Sequence, residues 1–296
     1  MDNAWKVTVV IPTYNRPQYV CEAIDSVLNQ TYTDFEIIVI DDGSVTDIGE
    51  TVAHYGSKIR FHKQPNGGLA SARNAGLALA TGDLIAFLDD DDRWLPHKLE
   101  NQVNLFRQDP KIDGVYGTVT EFDDKADTQR NHEFLGVSVD IHTILKQHFP
   151  PMQTLLVRTS VLKQLNGFAL DLKGVEDWDL YLRLFASYKM AGIPEIMAEV
   201  RCHGDNMSKN IEESCLYSLK VLDKNRNVHK NCTQCDQVIK ETDQWLRDKI
   251  FHARREKAIS ARQKGQKFAM LKWYASALQA YTFPMQVQWT LSKFKK

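Results

Sequence analysis

Four consecutive aspartates stand directly after an apolar segment, and this junction constrains the fold more than any other feature of the sequence. Residues 84–88 read as a buried strand, and Asp89, Asp90, Asp91 and Asp92 follow without a break. Carboxylate oxygens are the ligands that Mg²⁺ and Mn²⁺ prefer. A solvated loop or a set of helix caps is the alternative for an isolated acidic run. Because ligands of open α/β sheets bind beyond the carboxyl ends of strands, the position favours a cation site.

The first 120 residues alternate between strand-like and helix-like segments. Apolar, β-branched runs predict buried strands, and apolar residues at helical spacing predict helices with one face against a sheet. The predicted strands are residues 7–11, 35–40, 59–62 and 82–88, and the predicted helices are residues 19–29, 69–80 and 97–108. This alternation predicts an α/β fold with a doubly wound, mostly parallel sheet flanked by helices.

The pattern becomes irregular after a further short strand at residues 115–119. Residues 123–140 are polar and lack a period, which predicts a mobile loop over a site, and residues 152–158 read as another strand. From about residue 206 the sequence is mostly helical and increasingly basic. We therefore predict two halves of one α/β domain and a helical C-terminal extension. Their bounds are residues 1–118, 119–208 and 209–296.

Composition excludes several classes of protein. The chain has 296 residues, is 43% hydrophobic and carries a formal net charge of -1, so it gives no electrostatic reason to expect a nucleic-acid partner. No apolar run is long enough to span a membrane, and the first residues lack the pattern of a secretory signal. We therefore expect a cytoplasmic protein.

The cysteines give no sign of a disulfide framework. Their number is five, and they are scattered along the chain, which fits a reducing compartment. Cys232 and Cys235, with His229 just before them, have half the spacing of a zinc site. Since no second Cys-x-x-Cys or His-x-x-x-His pair follows, the sequence favours the absence of a structural zinc ion.

Polar side chains also follow the first two predicted strands. Residues 12–16 form a turn rich in hydrogen-bonding groups, which fits either a binding site or an ordinary strand-to-helix connection. Asp41 and Asp42 end the next strand. A carboxylate in that position accepts hydrogen bonds from a nucleotide base or ribose in many sheets, and an Asx-type turn is the alternative.

A glycine pair precedes the helix at residues 69–80. Asn66, Gly67 and Gly68 allow a tight turn, and the start of the helix favours an anion. Arg73 inside this helix is a candidate contact for a diphosphate. An ordinary Asn-Gly-Gly turn is the alternative.

Taken together and in this order, these four segments resemble the inverting glycosyltransferases of family 2, which have the GT-A fold. The resemblance covers about residues 5–120 and resumes at residues 175–180 and 200–208. It implies a nucleotide-sugar donor bound by the first half of the domain and an acceptor bound by the second. The donor-binding residues that it implies are Pro12, Thr13, Tyr14, Arg16, Asp41, Asp42, Asn66, Gly67, Arg73, Asp89 and Asp90.

The resemblance also implies a cation and a catalytic base. The cation is Mn²⁺ or Mg²⁺, with Asp91 as a direct ligand and Asp89 and His203 as further ligands. The base falls on Asp177, which would take the proton from an acceptor hydroxyl while the cation stabilises the departing diphosphate. From the local sequence alone, a helix N-cap is the alternative role for Asp177.

The sequence thus predicts a metal-dependent inverting glycosyltransferase. We expect it to transfer a sugar from a UDP-sugar to a saccharide or a lipid-linked saccharide of a bacterial surface polysaccharide. The Gln-x-x-Arg-Trp element of processive synthases is absent, which indicates the addition of one sugar or a few. A non-catalytic sugar-nucleotide-binding subunit and a sugar nucleotidyltransferase are the rival hypotheses.

The end of the chain permits two interpretations. Residues 267–296 mix aromatic and apolar side chains with lysines at both ends. Interfacial membrane helices have this composition, and so do terminal helices that dock onto a domain. Peripheral contact with the inner face of a membrane would favour a lipid-linked acceptor.

Overall fold

One mixed sheet organises the structure, a computed structural model that describes residues 5–123, 128–202, 210–229 and 232–282. The strands of these residues are β1 Val7–Thr13, β2 Phe35–Asp41, β3 Ile59–Lys63, β4 Leu84–Phe87, β5 Arg93–Trp94, β6 Gly114–Asp123, β7 Thr128–Asn131, β8 Leu156–Arg158 and β9 Met190–Arg201. Their order across the sheet is β3-β2-β1-β4-β8-β6-β9-β5, and β7 pairs with β6 outside this path.

The first half of the sheet is parallel, as the sequence predicts. β3, β2, β1 and β4 are parallel neighbours, and β6 and β9 form a second parallel pair. β8 joins the two groups and is antiparallel to both β4 and β6. All seven residues of β1 are buried, because helices cover both faces of a sheet of this kind.

The helices pack on both faces of the sheet. They are α1 Pro17–Leu28, α2 Ile48–Val52, α3 Leu69–Leu79, α4 Lys98–Gln108, α5 Ile141–Leu145, α6 Thr159–Gln164, α7 Glu176–Ser187, α8 Ile211–Lys224, α9 Thr233–Gln263 and α10 Lys267–Thr282. Alternate residues of β1 enter different cores, since successive side chains of a strand point to opposite faces. Val10 packs with α3 and α7, whereas Val9 and Ile11 pack with α1 and α4.

Two predicted segments differ from the structure. Residues 123–140 are not a continuous loop, because β7 pairs antiparallel with β6 and only residues 124–127 lie outside the described part. All of β7 is exposed, so no apolar alternation marks it as a strand. Residues 152–158 are a short 3-10 turn, Met152–Thr154, followed by β8.

The predicted boundary between the two halves of the domain falls within a strand. β6 runs across residue 118, where we placed this boundary.

The helical C-terminal part that the sequence predicts is present. α10 packs along α9, where Nη1 of Arg254 donates to the carbonyl of Ser276 at 2.6 Å. Its outer face exposes Phe268, Leu271 and Leu278. No helix in the described residues combines the length and the apolar character needed to cross a bilayer. Residues 283–296 of the predicted tail lie outside the described part.

α3 approaches β1 closely because Gly76 has no side chain. A Cβ atom at this position would lie 2.2 Å from Cγ1 of Val10. An alanine normally stabilises a helix by about 1 kcal/mol relative to glycine. In this position the clash outweighs that gain, because overpacking of a core costs about 1–3 kcal/mol.

We therefore expect Gly76→Ala to lower the free energy of unfolding by about 1–2 kcal/mol in urea titrations, which is the upper part of the overpacking cost less the gain in helix propensity. Ala78→Gly is the control, because Ala78 is exposed on the same helix. Through helix propensity alone, this change should lower the free energy of unfolding by about 1 kcal/mol. A Gly76→Ala variant as stable as the native protein would contradict this packing.

Candidate active site

The carboxyl ends of three neighbouring parallel strands meet at one edge of the sheet beside a cavity. β1 lies between β2 and β4, and Thr13 at the end of β1 is opposite Asp41 at the end of β2. The acidic run follows β4 at the same edge. The cavity has a volume of about 440 Å³. The predicted site residues that line it are Pro12, Thr13, Tyr14, Arg16, Asp42, Arg73, Asp89, Asp90, Asp91 and Asp177.

Three further predicted site residues, Asp41, Asn66 and Gly67, do not line this cavity. Asp41 is fully buried and accepts a hydrogen bond from the backbone N–H of Ser44 at 2.9 Å. Asn66 and Gly67 are exposed in the turn before α3. His203 lies outside the described residues.

Asp90 is buried and ties the acidic run to the end of β1. Its Oδ2 accepts from Oγ1 of Thr13 at 2.7 Å, and its Oδ1 accepts from Nη1 of Arg16 at 3.0 Å. Burial raises the pKa of Asp90 to about 6, although the nearby Arg16 charge lowers it. Its two oxygens are therefore occupied by protein donors.

Asp92 is held by donors from two other segments. The backbone N–H of Arg201 donates to its Oδ1 at 2.9 Å, and Nε2 of Gln153 donates to its Oδ2 at 2.5 Å. Burial raises the pKa of Asp92 well above its usual range, and the charges of Asp89 and Asp91 raise it further. The residues assigned to donor and metal binding from the sequence did not include Asp92, Gln153 or Arg201, and all three line the cavity.

Asp89 and Asp91 are the two partly exposed carboxylates of the run. Their side chains are 26% and 16% exposed, compared with 7% for Asp90. Nη2 of Arg73 donates to Asp89 at 2.7 Å, and Nη1 of Arg16 contacts Asp91. An oxygen-only set of accessible carboxylates fits a hard divalent cation such as Mg²⁺ or Mn²⁺. The residues present are therefore suited to such an ion.

Arg73 joins the acidic run to the start of α7. Its buried guanidinium pairs with Asp89 at 2.7 Å and with Glu176 at 3.1 Å. Sequence reasoning placed Arg73 in the site but not Glu176, whose partner is 103 residues away along the chain. This ion pair holds α7 against the cavity.

Asp177 is the second residue of α7 and lines the cavity. Val175 occupies the N-cap position, so the alternative role of Asp177 as the helix cap is wrong. Burial raises the pKa of Asp177 to about 7, and the charge of Glu176 also raises it, whereas Arg73 lowers it. A carboxyl group whose pKa lies near neutrality is suited to exchange a proton at physiological pH.

Asp42 organises the glycine turn that precedes α3. Its Oδ1 accepts from the N–H of Gly67 at 2.9 Å, and its Oδ2 accepts from the N–H of Gly68 at 2.8 Å. Both N–H groups therefore donate to Asp42. From the sequence we expected the start of α3 to favour an anion. Gly68 has a φ of 86°, a conformation that glycine adopts without strain.

A comparison with protein families decides the class of this fold and site. The family model described as Glycosyl transferase family 2 matches residues 8–164. The chain belongs to this family. The match runs from β1 to the end of α6 and includes the acidic run, and it confirms the resemblance predicted from the sequence.

Curated relatives of this family 2 chain are described as glycosyltransferases. One from Nostoc sp. is 33% identical over 215 residues, which cover 68% of this chain and 66% of that protein. One from Rickettsia bellii is 34% identical over 205 residues, which cover 68% of this chain and 29% of that protein. Chondroitin synthase of Pasteurella multocida is 31% identical over 214 residues, which cover 70% of this chain and 22% of that protein. The chain thus spans less than a third of two of these relatives.

Solved structures share the fold of this family 2 chain. S. aureus TarS, residues 1–349, has a TM-score of 0.63 at 16% identity and covers 94% of this chain and 91% of its own. The mannosyltransferase PcManGT of Pyrobaculum calidifontis has a TM-score of 0.60 at 17% identity, and the match covers 99% of this chain and 82% of PcManGT. The GT-A fold that the sequence predicts is confirmed.

The raised pKa of Asp90 makes folding stability depend on pH. In the unfolded chain this carboxyl ionises at lower pH than in the folded protein, so the folded state binds more protons in between. We expect the free energy of unfolding of the native protein, relative to Asp90→Asn, to fall by about 2 kcal/mol as pH rises from about 4 to about 6. Urea titrations without added divalent cations measure this difference, and a flat or rising difference would contradict the assignment.

Proposed function

We propose that the chain is an inverting glycosyltransferase that moves a sugar from a nucleotide-sugar to a hydroxyl group of a saccharide acceptor. The observation that carries this proposal is the shared cavity of Asp177 and the acidic run. A proton acceptor and a cation-binding group are the two functions that the reaction requires. Arg73 and Glu176 hold them at a fixed separation.

In this proposal Asp177 is the catalytic base. The acceptor hydroxyl gives its proton to the Asp177 carboxylate as the hydroxyl oxygen bonds to the anomeric carbon, and the bond from that carbon to the diphosphate breaks. The backbone N–H of Trp178 donates to Oδ1 of Asp177 at 2.7 Å and fixes the carboxylate. Because burial and the charge of Glu176 raise its pKa, the Asp177 carboxylate takes up a proton more readily than an ordinary aspartate.

The proposed cation is Mn²⁺ or Mg²⁺, held by Asp91 and Asp89. Bound there, the ion supplies positive charge next to the departing diphosphate. Asp90 positions these neighbours through its bonds to Thr13 and Arg16. The ligand role of His203 belongs to the same proposal. PcManGT, which shares the fold, is described in complex with GDP-Man and Mn²⁺.

The proposed donor is a UDP-sugar. TarS is described in complex with UDP and with UDP-GlcNAc. Tyr14 is 47% exposed beside Pro12 and Thr13 at the cavity, and its ring offers a face for a nucleotide base. Asp42 lines the same cavity, and the backbone N–H of Gly67 donates to its Oδ1 at 2.9 Å. The donor-binding roles of Asp41 and Asn66 belong to the same proposal.

The proposed acceptor is a saccharide or lipid-linked saccharide of a bacterial surface polysaccharide. A relative named chondroitin synthase supports a saccharide acceptor. Phe268, Leu271 and Leu278 are exposed on α10 and support peripheral contact of this helix with the inner face of a membrane.

The decisive experiment combines a donor screen with one substitution. We expect one donor among UDP-, GDP-, dTDP- and CMP-sugars to turn over, and turnover to disappear without Mn²⁺ or Mg²⁺. Asp177→Asn should lower kcat by roughly 10²–10⁴-fold while donor binding, measured by calorimetry, persists. Asp171→Asn is the control, because Asp171 is an exposed aspartate that does not line the cavity.

Two other results would favour the rival hypotheses. Donor binding without turnover of any donor by the native protein would indicate a non-catalytic binding subunit. Release of pyrophosphate from a nucleoside triphosphate and a sugar phosphate would indicate a nucleotidyltransferase. Full activity of Asp177→Asn would contradict its role as the base.

The environment of Asp177 also predicts a shift in the pH profile. We expect kcat/KM to fall at acidic pH, because a protonated Asp177 cannot accept the proton of the acceptor. Glu176→Gln should move this acid limb to lower pH, since it removes a negative charge that raises the pKa of Asp177. Glu50→Gln, an exposed glutamate on α2, is the control. A limb that stays in place or moves to higher pH in Glu176→Gln would contradict the assignment.

A further inference from the structure

Four side chains with metal-binding atoms converge outside the active site. They are His142 on α5, His229 in the segment before α9, and Cys232 and Cys235 at the start of α9. One ligand atom from each lies within 4.8 Å of the others. His142 is 90 residues away from Cys232 along the chain, so the fold and not a local motif assembles this cluster.

The distances in the cluster match those of a tetrahedral zinc site. Nε2 of His142 lies 3.6 Å from Sγ of Cys232, and Nδ1 of His229 lies 3.3 Å from Sγ of Cys235. Zinc binds sulfur at about 2.3 Å and histidine nitrogen at about 2.0–2.1 Å, which places neighbouring N and S ligands about 3.5 Å apart. A zinc ion would therefore fit with little movement of these side chains.

The groups around the cluster orient its members. The backbone N–H of Cys235 lies 3.4 Å from Sγ of Cys232 and donates to it, and Cys232 is the N-cap of α9. Nδ1 of His142 is buried and makes no hydrogen bond to any described residue, and an oxygen of Asp140 lies 3.5 Å from it, so a small movement of Asp140 would bring it within hydrogen-bond distance. A carboxylate beside the outer nitrogen is the usual support for a zinc-bound histidine.

We propose that His142, His229, Cys232 and Cys235 bind one structural Zn²⁺ ion. Two thiolates and two imidazoles favour zinc over the hard cations proposed for the acidic run. All four positions are filled by protein, which is typical of a structural site. The sequence favoured the absence of zinc because the fourth ligand is remote from the other three.

The ion would link the helical C-terminal part to the α/β domain, because its ligands come from both. His142 belongs to α5, whereas the other three ligands precede or begin α9. α5 also supports α7, because Nε1 of Trp178 donates to the carbonyl of Ile144 at 2.6 Å. Zinc binding therefore stabilises the folded state by linking segments that are free to separate in the unfolded chain.

The test measures the metal content of the whole chain, purified without a polyhistidine tag. We expect one zinc ion per chain by plasma mass spectrometry in the native protein and loss of zinc in Cys232→Ser with Cys235→Ser. Cys21→Ser with His97→Asn is the control, because both residues lie outside the cluster, and this variant should retain zinc. Removal of zinc from the native protein should lower its Tm.

Cobalt and a milder variant cover the case in which the double serine variant is insoluble. The reduced, metal-free native protein should bind Co²⁺ with the absorption of tetrahedral thiolate coordination. His229→Asn alters an exposed residue, keeps three ligands and should bind zinc at least roughly tenfold more weakly. A Cys232–Cys235 disulfide in freshly purified protein, no zinc after incubation of the reduced protein with Zn²⁺, or unchanged zinc affinity in His229→Asn would overturn the proposal.

Discussion

The buried guanidinium of Arg73 is the contact on which the rest of the site depends. It pairs with Asp89 after β4 and with Glu176 at the start of α7, so it sets the distance between the acidic run and Asp177. Removing one partner from a buried ion pair costs about 3–5 kcal/mol, because the other charge remains without compensation. The same group lowers the pKa of Asp177 while burial and Glu176 raise it. Stability and proton affinity at this site therefore have a common origin.

The sequence was sufficient to predict the strands and the edge of the sheet that carries the site, because the apolar pattern and the geometry of parallel strands agree there. Apolar runs marked β1, β2 and β4, and parallel strands bring their carboxyl ends to one edge, where Thr13 and the acidic run lie together. The same alternation predicted a doubly wound, mostly parallel sheet, and the resemblance to family 2 implied the GT-A fold. The role of Asp177 as the base was predicted through the resemblance, since its local sequence alone favoured a helix cap.

The missed features all depend on contacts between distant segments. Gln153 reaches Asp92 because the 3-10 turn before β8 places it there, and no property of residues 152–158 indicates that turn. Asp42 takes the N–H groups of Gly67 and Gly68, a pairing that a count of glycines does not reveal. The exposed strand β7 has no apolar face for a pattern to detect. Tertiary packing decided each of these cases.

The charges around the cavity have a kinetic consequence for the proposed reaction. Among the described residues, seven carboxylates and three guanidinium groups line this space. A diphosphate approaching alone would meet net electrostatic repulsion, whereas a cation would be attracted. Association in a fixed order, with the ion arriving first or as a neutral complex with the donor, avoids this barrier. In the proposed reaction, the acidic lining would disfavour the entry of a diphosphate whose charge no cation has yet compensated.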